Sequence, residues 1–168
     1  KEDKLHGEVL DFYENGIPER SAIYYESIQV GDTTLRNIYD GEKTQYYKSG
    51  MIQSKEIYAM GQKTGTWERF YEGTGLLQER TSYENNLKTG QHLYYDNAGN
   101  KSSESNYIIL KTDSGMLSMK HGPEKAWTKN VLTMETQYHY NKEEGTRTSY
   151  HTNGTIASTI QFNKGLMQ

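Results

Sequence analysis

The chain predicts an all-β protein: an elongated antiparallel sheet of about six stacked β-hairpin repeats, its strands following one another as a meander. Three observations predict it. Glycines recur at 7, 41, 65, 90, 122 and 145; an aromatic residue follows each after five or six positions, and a second aromatic comes eleven or twelve residues later. Between the two aromatics lies a turn signal flanked by Tyr, Ile and Thr, the residues that favour strands. No apolar stripe of 3.6-residue period runs for a useful length, so helix is not expected beyond a turn or two.

The six units take the ranges 7–30, 41–61, 65–86, 90–107, 122–141 and 145–165, in a single domain of 168 residues. Their leading glycines are Gly7, Gly41, Gly65, Gly90, Gly122 and Gly145. The first aromatics are Tyr13, Tyr47, Tyr71, Tyr95, Trp127 and Tyr150; the second are Tyr25, Tyr58, Tyr83, Tyr107, Tyr138 and Phe162. The turn signals are ENG at 14–16, KSG at 48–50, EGTG at 72–75, DNAG at 96–99, TKN at 128–130 and TNG at 152–154. Gly and Asn accept the positive φ that tight hairpin turns demand. The leading glycines are 34, 24, 25, 32 and 23 residues apart, a unit of about 24 with insertions at 31–37 and 108–120. One such hairpin is marginal in water. Stacked side by side, each supplies the neighbour that the next one lacks.

Composition agrees with a sheet built on rings. Leu, Ile, Val and Phe together number 27 of 168, too few for a thick aliphatic core, yet 15 Tyr are present and the net charge is only −3. Disordered chains are usually highly charged and poor in aromatics. The modest acidic balance and the scatter of the 19 Lys and Arg give no electrostatic reason to bind nucleic acid, and they disfavour a membrane surface. Cys is absent, which removes disulfides, thiolate nucleophiles and Cys-based zinc sites. No apolar run approaches the ~18 residues of a membrane span. The first residue is Lys1 rather than Met, which fits removal of an export signal or a trimmed chain; export to the periplasm or cell surface is slightly favoured.

The register of Gly41, Tyr46, Tyr47, Gly50, Tyr58 and Gly61, of Gly65, Trp67, Phe70, Tyr71, Gly75 and Tyr83, and of Gly145, Tyr150, Gly154, Phe162 and Gly165 resembles the MORN-repeat variant family. Bacterial members of that family include proteins labelled YwqK-type antitoxins. The resemblance covers nearly the whole chain and implies a hairpin array that acts in interaction rather than catalysis. The fifth unit departs from it, with Pro123 after its glycine and Asn130 in place of a turn glycine. Cell-wall-binding repeats are also Gly- and aromatic-rich, but their Trp-rich strands match poorly a chain with two Trp.

Successive strand residues face opposite sides of a sheet. The first aromatics and the residues before them therefore belong to different faces. The first row reads as packing between repeats. The preceding row is Phe12, Tyr46, Phe70 and Tyr94, followed by Ala126 and Ser149; its four rings offer a stacking platform for a protein partner or a glycan. The insertion at 108–120 reads as an extra apolar hairpin around TDSG, and its Met116, Leu117 and Met119 are candidate contact residues.

Catalytic and metal signals are weak. His139 and His151 lie in consecutive strands without a third ligand, and Asp96 belongs to a turn. Neither a G-x-S-x-G nor a phosphate-binding G-x-x-x-x-G-K-[ST] stretch occurs. Asn100-Lys101-Ser102 and Asn153-Gly154-Thr155 match the glycosylation acceptor pattern. The expectation is a non-enzymatic protein without cofactor or metal that binds another protein, with an antitoxin-like role as one version and a carbohydrate or cell-wall-binding module as the alternative.

Overall fold

The computed structural model describes residues 6–30 and 32–168, and at 26–30, 35 and 36 it describes the backbone alone. Among the described residues every regular element is a strand: β1 (Gly7–Phe12), β2 (Pro18–Val30), β3 (Thr33–Tyr46), β4 (Ile52–Ala59), β5 (Gln62–Phe70), β6 (Leu77–Glu84), β7 (Leu87–Tyr95), β8 (Lys101–Thr112), β9 (Gly115–Lys120), β10 (Gly122–Thr128), β11 (Val131–His139), β12 (Lys142–Tyr150), β13 (Ile156–Asn163) and β14 (Leu166–Met167). They follow one another as an antiparallel meander, with β9 off the path and paired to β8. The six expected hairpins supply twelve of these strands. β9 and β14 are additional.

The chain divides into two compact units. The first comprises residues 1–77 and 83–86, the second residues 78–82 and 87–168. Of the insertions, 31–37 lies where β2 and β3 lengthen: Ser27 still pairs Arg36, and Val30 pairs Thr33. Gly31 and the side chains of Leu35 and Arg36 lie outside the described residues. The insertion at 108–120 forms the expected hairpin, with Leu110 opposite Leu117 and Thr112 opposite Gly115.

Between repeats the ladder opens at the leading glycines Gly41, Gly65 and Gly145. Lys55 pairs Glu68 and Ile57 pairs Thr64, so Glu56 alone faces Gly65, Thr66 and Trp67. Ile23 likewise faces 40–42 between β2 and β3, and Thr136 faces 145–147 between β11 and β12. Such a bulge needs one residue with positive φ, which glycine adopts without a side-chain clash. Gly41 (φ 123°) and Gly65 (φ 61°) do so, and a Cβ on either would come within 3.0–3.1 Å of Ile23 Cδ1 or Ile57 Cδ1. The carbonyl of Ile57, at the bulge, accepts from Trp67 Nε1 at 3.0 Å.

Two kinds of turn alternate. Within most units a longer loop closes on itself, as where Tyr47 N donates to Met51 O and Gly50 N to Tyr47 O. Between units the turn has two residues, both with positive φ: Met60-Gly61, Asn85-Asn86, Tyr140-Asn141 and Lys164-Gly165. Each of these turns docks on an earlier strand, Gly61 N donating to Tyr39 O of β3, Asn86 N to Lys63 O of β5 and Asn141 N to Lys120 O of β9. Where the second residue is Asn, its Oδ1 also accepts from that strand: from Lys63 N at 2.8 Å for Asn86 and from Lys120 N at 2.6 Å for Asn141. Where it is Gly, a carboxylate on the strand accepts instead, Asp40 from Met60 N and Glu144 from Lys164 N.

One face of each unit is the buried one. On β4 the pattern alternates: Gln53 and Lys55 exposed, Ser54 and Glu56 buried. Two residues before the second ring of successive hairpins lie Ala22, Glu56, Thr81, Ser105 and Thr136, all less than 9% exposed. A single sheet with such small or hydrogen-bonded side chains on its inner face needs few aliphatics, which accounts for the low Leu, Ile and Val content.

Candidate binding face

The register determines which side chains share a face. In the second hairpin Gly41 pairs Tyr58, Gln45 pairs Ser54 and Tyr46 pairs Ile52. In the fourth, Gly90 pairs Tyr107, Tyr94 pairs Ser103 and Tyr95 pairs Lys101. Tyr95 therefore takes the position of Tyr46, and Tyr94 that of Gln45. The loop bonds agree: Asp96, not Tyr95, closes its loop as Tyr47 does, with Asp96 N donating to Asn100 O. In the sixth hairpin His151 closes the loop and Tyr150 pairs Ile156. In the fifth, Trp127 pairs Leu132.

This corrects both aromatic rows. The strand-end position is aromatic in every hairpin: Phe12, Tyr46 and Phe70 in the first unit, and Tyr95, Trp127 and Tyr150 in the second. Ala126 and Ser149 do not interrupt it, because they belong one position earlier, beside Tyr94. Tyr94 lies on the inner face, with its ring 4.7 Å from His92. The spacing itself carries the signal: the leading glycine precedes Tyr13, Tyr47 and Tyr71 by six residues but precedes Tyr95, Trp127 and Tyr150 by five. Tyr13 and Tyr47, at the loop-closing position, tie hairpin to hairpin. Tyr13 Oη donates to Tyr46 O at 2.7 Å and Tyr47 Oη to Phe70 O at 2.8 Å.

The second row needs one correction. Gly7 pairs Tyr24, so Tyr24 rather than Tyr25 is the equivalent of Tyr58. Tyr24 is buried, whereas Tyr25 faces solvent with its ring 6.3 Å from His6. On the inner face of the first unit the rings of Tyr24, Tyr39, Tyr58, Trp67 and Tyr83 follow one another at 4.7, 5.0, 5.1 and 5.2 Å. Lys43 lies 5.0 Å from the Tyr39 ring and Lys63 4.4 Å from that of Trp67. These rings are engaged within the unit. Burial raises Tyr24 to about 12, and burial beside Glu56 raises Tyr58 further. In the second unit Tyr107, Tyr138 and Phe162 each carry a cation over the ring, Lys88, Lys120 and Arg147 respectively.

The outer face presents what the inner one withholds. In the first unit it displays Leu10, Phe12, Ile23 and Tyr25, with Phe12 57% exposed. Tyr46 and Phe70 are half-buried there. In the second unit Lys101 Nζ lies 5.0 Å over the Trp127 ring, and Tyr150 Oη donates to Glu135 at 2.6 Å. Leu93 is buried on this side. In the extra hairpin the register separates the contact candidates. Leu117 and Met119 share a face with Leu110 and Ile108, while Met116 lies on the other with Lys111. Met116 and Leu117 are exposed at the tip, and Met119 is half-buried.

Two hollows open on the outer face. One, of about 500 Å³ in the first unit, is lined by Glu42, Thr44, Tyr46, Ile57, Thr66 and Glu68 among others. The other, of about 490 Å³ in the second unit, includes His121, His139, Glu144 and Lys164. His139 comes beside His121, with ring centroids 5.1 Å apart, rather than beside His151. Among the described residues no three His, Cys, Asp or Glu side chains gather as metal ligands.

The model of the MORN repeat variant family matches residues 5–27, 39–59 and 143–164. These segments span the paired strands of the first, second and sixth hairpins. None of the curated proteins matches the chain.

Proposed function

The chain belongs to the MORN repeat variant family, and from that premise we propose that it is a non-catalytic repeat protein that binds another protein across the outer face of its hairpins. MORN repeats are generally associated with repeat proteins that bind proteins or membranes. The observation that carries the reading is the strand-end row, aromatic in six hairpins of six and facing away from the packed side. Rings give large contact area at small entropic cost and are the commonest anchors of protein interfaces. The inner rings are stacked on one another or covered by cations, whereas Phe12 of the outer row is 57% exposed, which favours the first unit's outer row as the contact surface. The sequence carries neither a nucleophile elbow nor a phosphate loop, which favours binding over catalysis. An antitoxin-like role is the specific version, in which the bound protein is a toxin held inactive.

The test is affinity capture from the source organism with the native chain and with a Phe12→Ser, Tyr46→Ser, Phe70→Ser variant. The expected outcome is one stoichiometric protein retained by the former and lost by the latter at unchanged circular dichroism. Capture that is indifferent to those three rings would move the interface elsewhere. Glycan-array hits abolished by the same variant would favour a sugar ligand. Binding to anionic vesicles that persists in ~0.5 M salt would transfer the role to membranes, because screening abolishes weak surface attraction.

A further inference from the structure

We propose that the hollow on the outer face of the first unit is a subsite for a cationic side chain, arginine above all, presented by the bound protein. The inference rests on the reading of that face as protein-binding and names the chemistry the partner must bring.

The hollow is built by the bulge. Between β4 and β5 the extra residues at Gly65 separate Thr66 from the ladder, so the outer side chains of β3, β4 and β5 bound a depression of about 500 Å³ instead of a flat pleat. Glu42 and Thr44 stand on one side, on β3; Thr66 and Glu68 stand on the other, on β5; Ile57 of β4 lies between them, and the Tyr46 ring closes one end. Lys55 is also in the lining and stands directly opposite Glu68 in the register. With Lys43 and Glu56, which also line it and pair with each other, the hollow holds three carboxylates against two ammoniums. Glu42 is exposed and has no hydrogen-bond or ion-pair partner among the described residues.

This set of groups selects its occupant. An apolar base with an aromatic end wall takes an alkyl stem, while a carboxylate at the rim takes the charge at the tip of that stem. A guanidinium adds a planar face that stacks on Tyr46 and forks of N–H donors that match Glu42 and the hydroxyls of Thr44 and Thr66. An anionic group would meet Glu42 and Glu68 and is disfavoured. A neutral sugar could donate hydroxyls to Glu42 but would not neutralise its charge. The second unit's hollow has a different lining, with His121, His139 and Lys164 beside a single carboxylate, Glu144. It lacks the paired acidic walls, so the preference for a cation belongs to the first unit.

The experiment is an amide NMR titration of the whole chain with Nα-acetyl-arginine amide, repeated with the uncharged Nα-acetyl-norleucine amide and with methyl glucoside. The expected result is saturable shifts of the Thr44, Ile57 and Thr66 amides with the arginine probe alone. In an E42Q/E68Q variant the affinity falls about tenfold, the scale of a charge-assisted hydrogen bond. Glutamine keeps the shape of glutamate at both positions, of which Glu42 is exposed and Glu68 half-buried, so the variant's spectrum outside the hollow stays that of the native chain. Three outcomes overturn the subsite: no saturable shift with arginine, equal shifts with norleucine, or the same amides moving with the glucoside instead. The capture experiment fails or succeeds independently of these. A partner lost with the three outer rings but no arginine response would leave the binding face standing and remove only the subsite.

Discussion

From Tyr24 to Tyr83 the inner face of the first unit is ring against ring, whereas in the second the equivalent rings of Tyr107, Tyr138 and Phe162 are separated by charged side chains. Two residues after the leading glycine stand Val9, Lys43 and Trp67 in the first unit, but His92, Glu124 and Arg147 in the second. There His92 Nε2 lies 3.0 Å from Glu79, Lys120 reaches Glu124 at 2.8 Å, and Arg147 pairs with Glu143. Both solutions cover the same row of small buried residues, from Ala22 to Thr136. The repeat therefore specifies where a long side chain must lie and which way it must face. It does not specify whether that side chain attracts its neighbours through its π face or through its charge.

The sharpest way to break the comparison is to remove the centre of the ring series. Trp67 contacts the Tyr58 and Tyr83 rings, lies under Lys63 and donates to Ile57 O. Trp67→Ala is expected to cost about 3–4 kcal/mol, the range for large aromatic truncation, read as a lowered urea midpoint. Trp67→His, which installs the second unit's choice at that position, should recover part of the loss. Full recovery would show that the rings are interchangeable with polar groups and contribute no packing of their own.

Next in size is the charge inside the ring-rich unit. Glu56, 8% exposed, accepts from Lys43 at 3.0 Å, from Ser54 at 3.2 Å and from Tyr58 at 3.0 Å. Glu56→Ala leaves a nearly buried ammonium without its counter-ion and is expected to cost about 3 kcal/mol. Arg147→Ala removes a pair whose cation is one-third exposed, and about 1 kcal/mol is expected, part of it the lost cover over Phe162. The difference between the two is the measure of burial.

The alkaline limb should treat both units alike. Burial raises Tyr24 and Tyr138 from 10.0 to about 12, and neighbouring carboxylates add to the effect at Tyr138. A phenol whose folded pKa lies above its unfolded value stabilises fully below pH ~10. That contribution is lost as pH rises through the folded value. Urea midpoints are therefore expected to fall between pH ~10 and ~12, and Tyr138→Phe should flatten part of the fall. A midpoint unchanged over that interval would place these phenols in water.

The hairpin period, the strand class and the extra hairpin were legible because they depend on recurring rings, glycines and turn residues. The exact register was not. Tyr24 and Tyr25 are adjacent aromatics, as are Tyr94 and Tyr95, and only the cross-strand partner tells which of each pair faces inward. The one-residue change in glycine-to-ring spacing encoded the answer, but its meaning depends on where each loop closes, at Tyr47 in one hairpin and at Asp96 in another. The buried row at Ala22, Glu56, Thr81, Ser105 and Thr136 was hidden for another reason. Small and polar side chains read as surface until a sheet folds their own long neighbours over them.

The smallest effect expected concerns the inter-unit turns, which use two chemistries for one task. Asn86 and Asn141 combine positive φ with a side-chain acceptor, whereas Gly61 and Gly165 supply only the φ and rely on Asp40 and Glu144. Asn86→Gly keeps the conformation, since glycine adopts it without strain, but removes the bond to Lys63 N. A cost of about 0.5–1 kcal/mol is expected, the net worth of one such hydrogen bond. Asp40→Asn should cost less, because its amide oxygen can still accept from Met60 N. Gly61→Asn separates the alternatives. It introduces the acceptor used in the other turns, yet Gly61 packs where a Cβ would meet Ile38 Cγ2 at 2.9 Å. The contact makes this substitution destabilising despite the favourable turn chemistry. In an Ile38→Ala background, which lacks the facing Cγ2, Gly61→Asn should no longer destabilise; if it still does, the docking of the turn rather than the crowding of Ile38 sets the choice of residue.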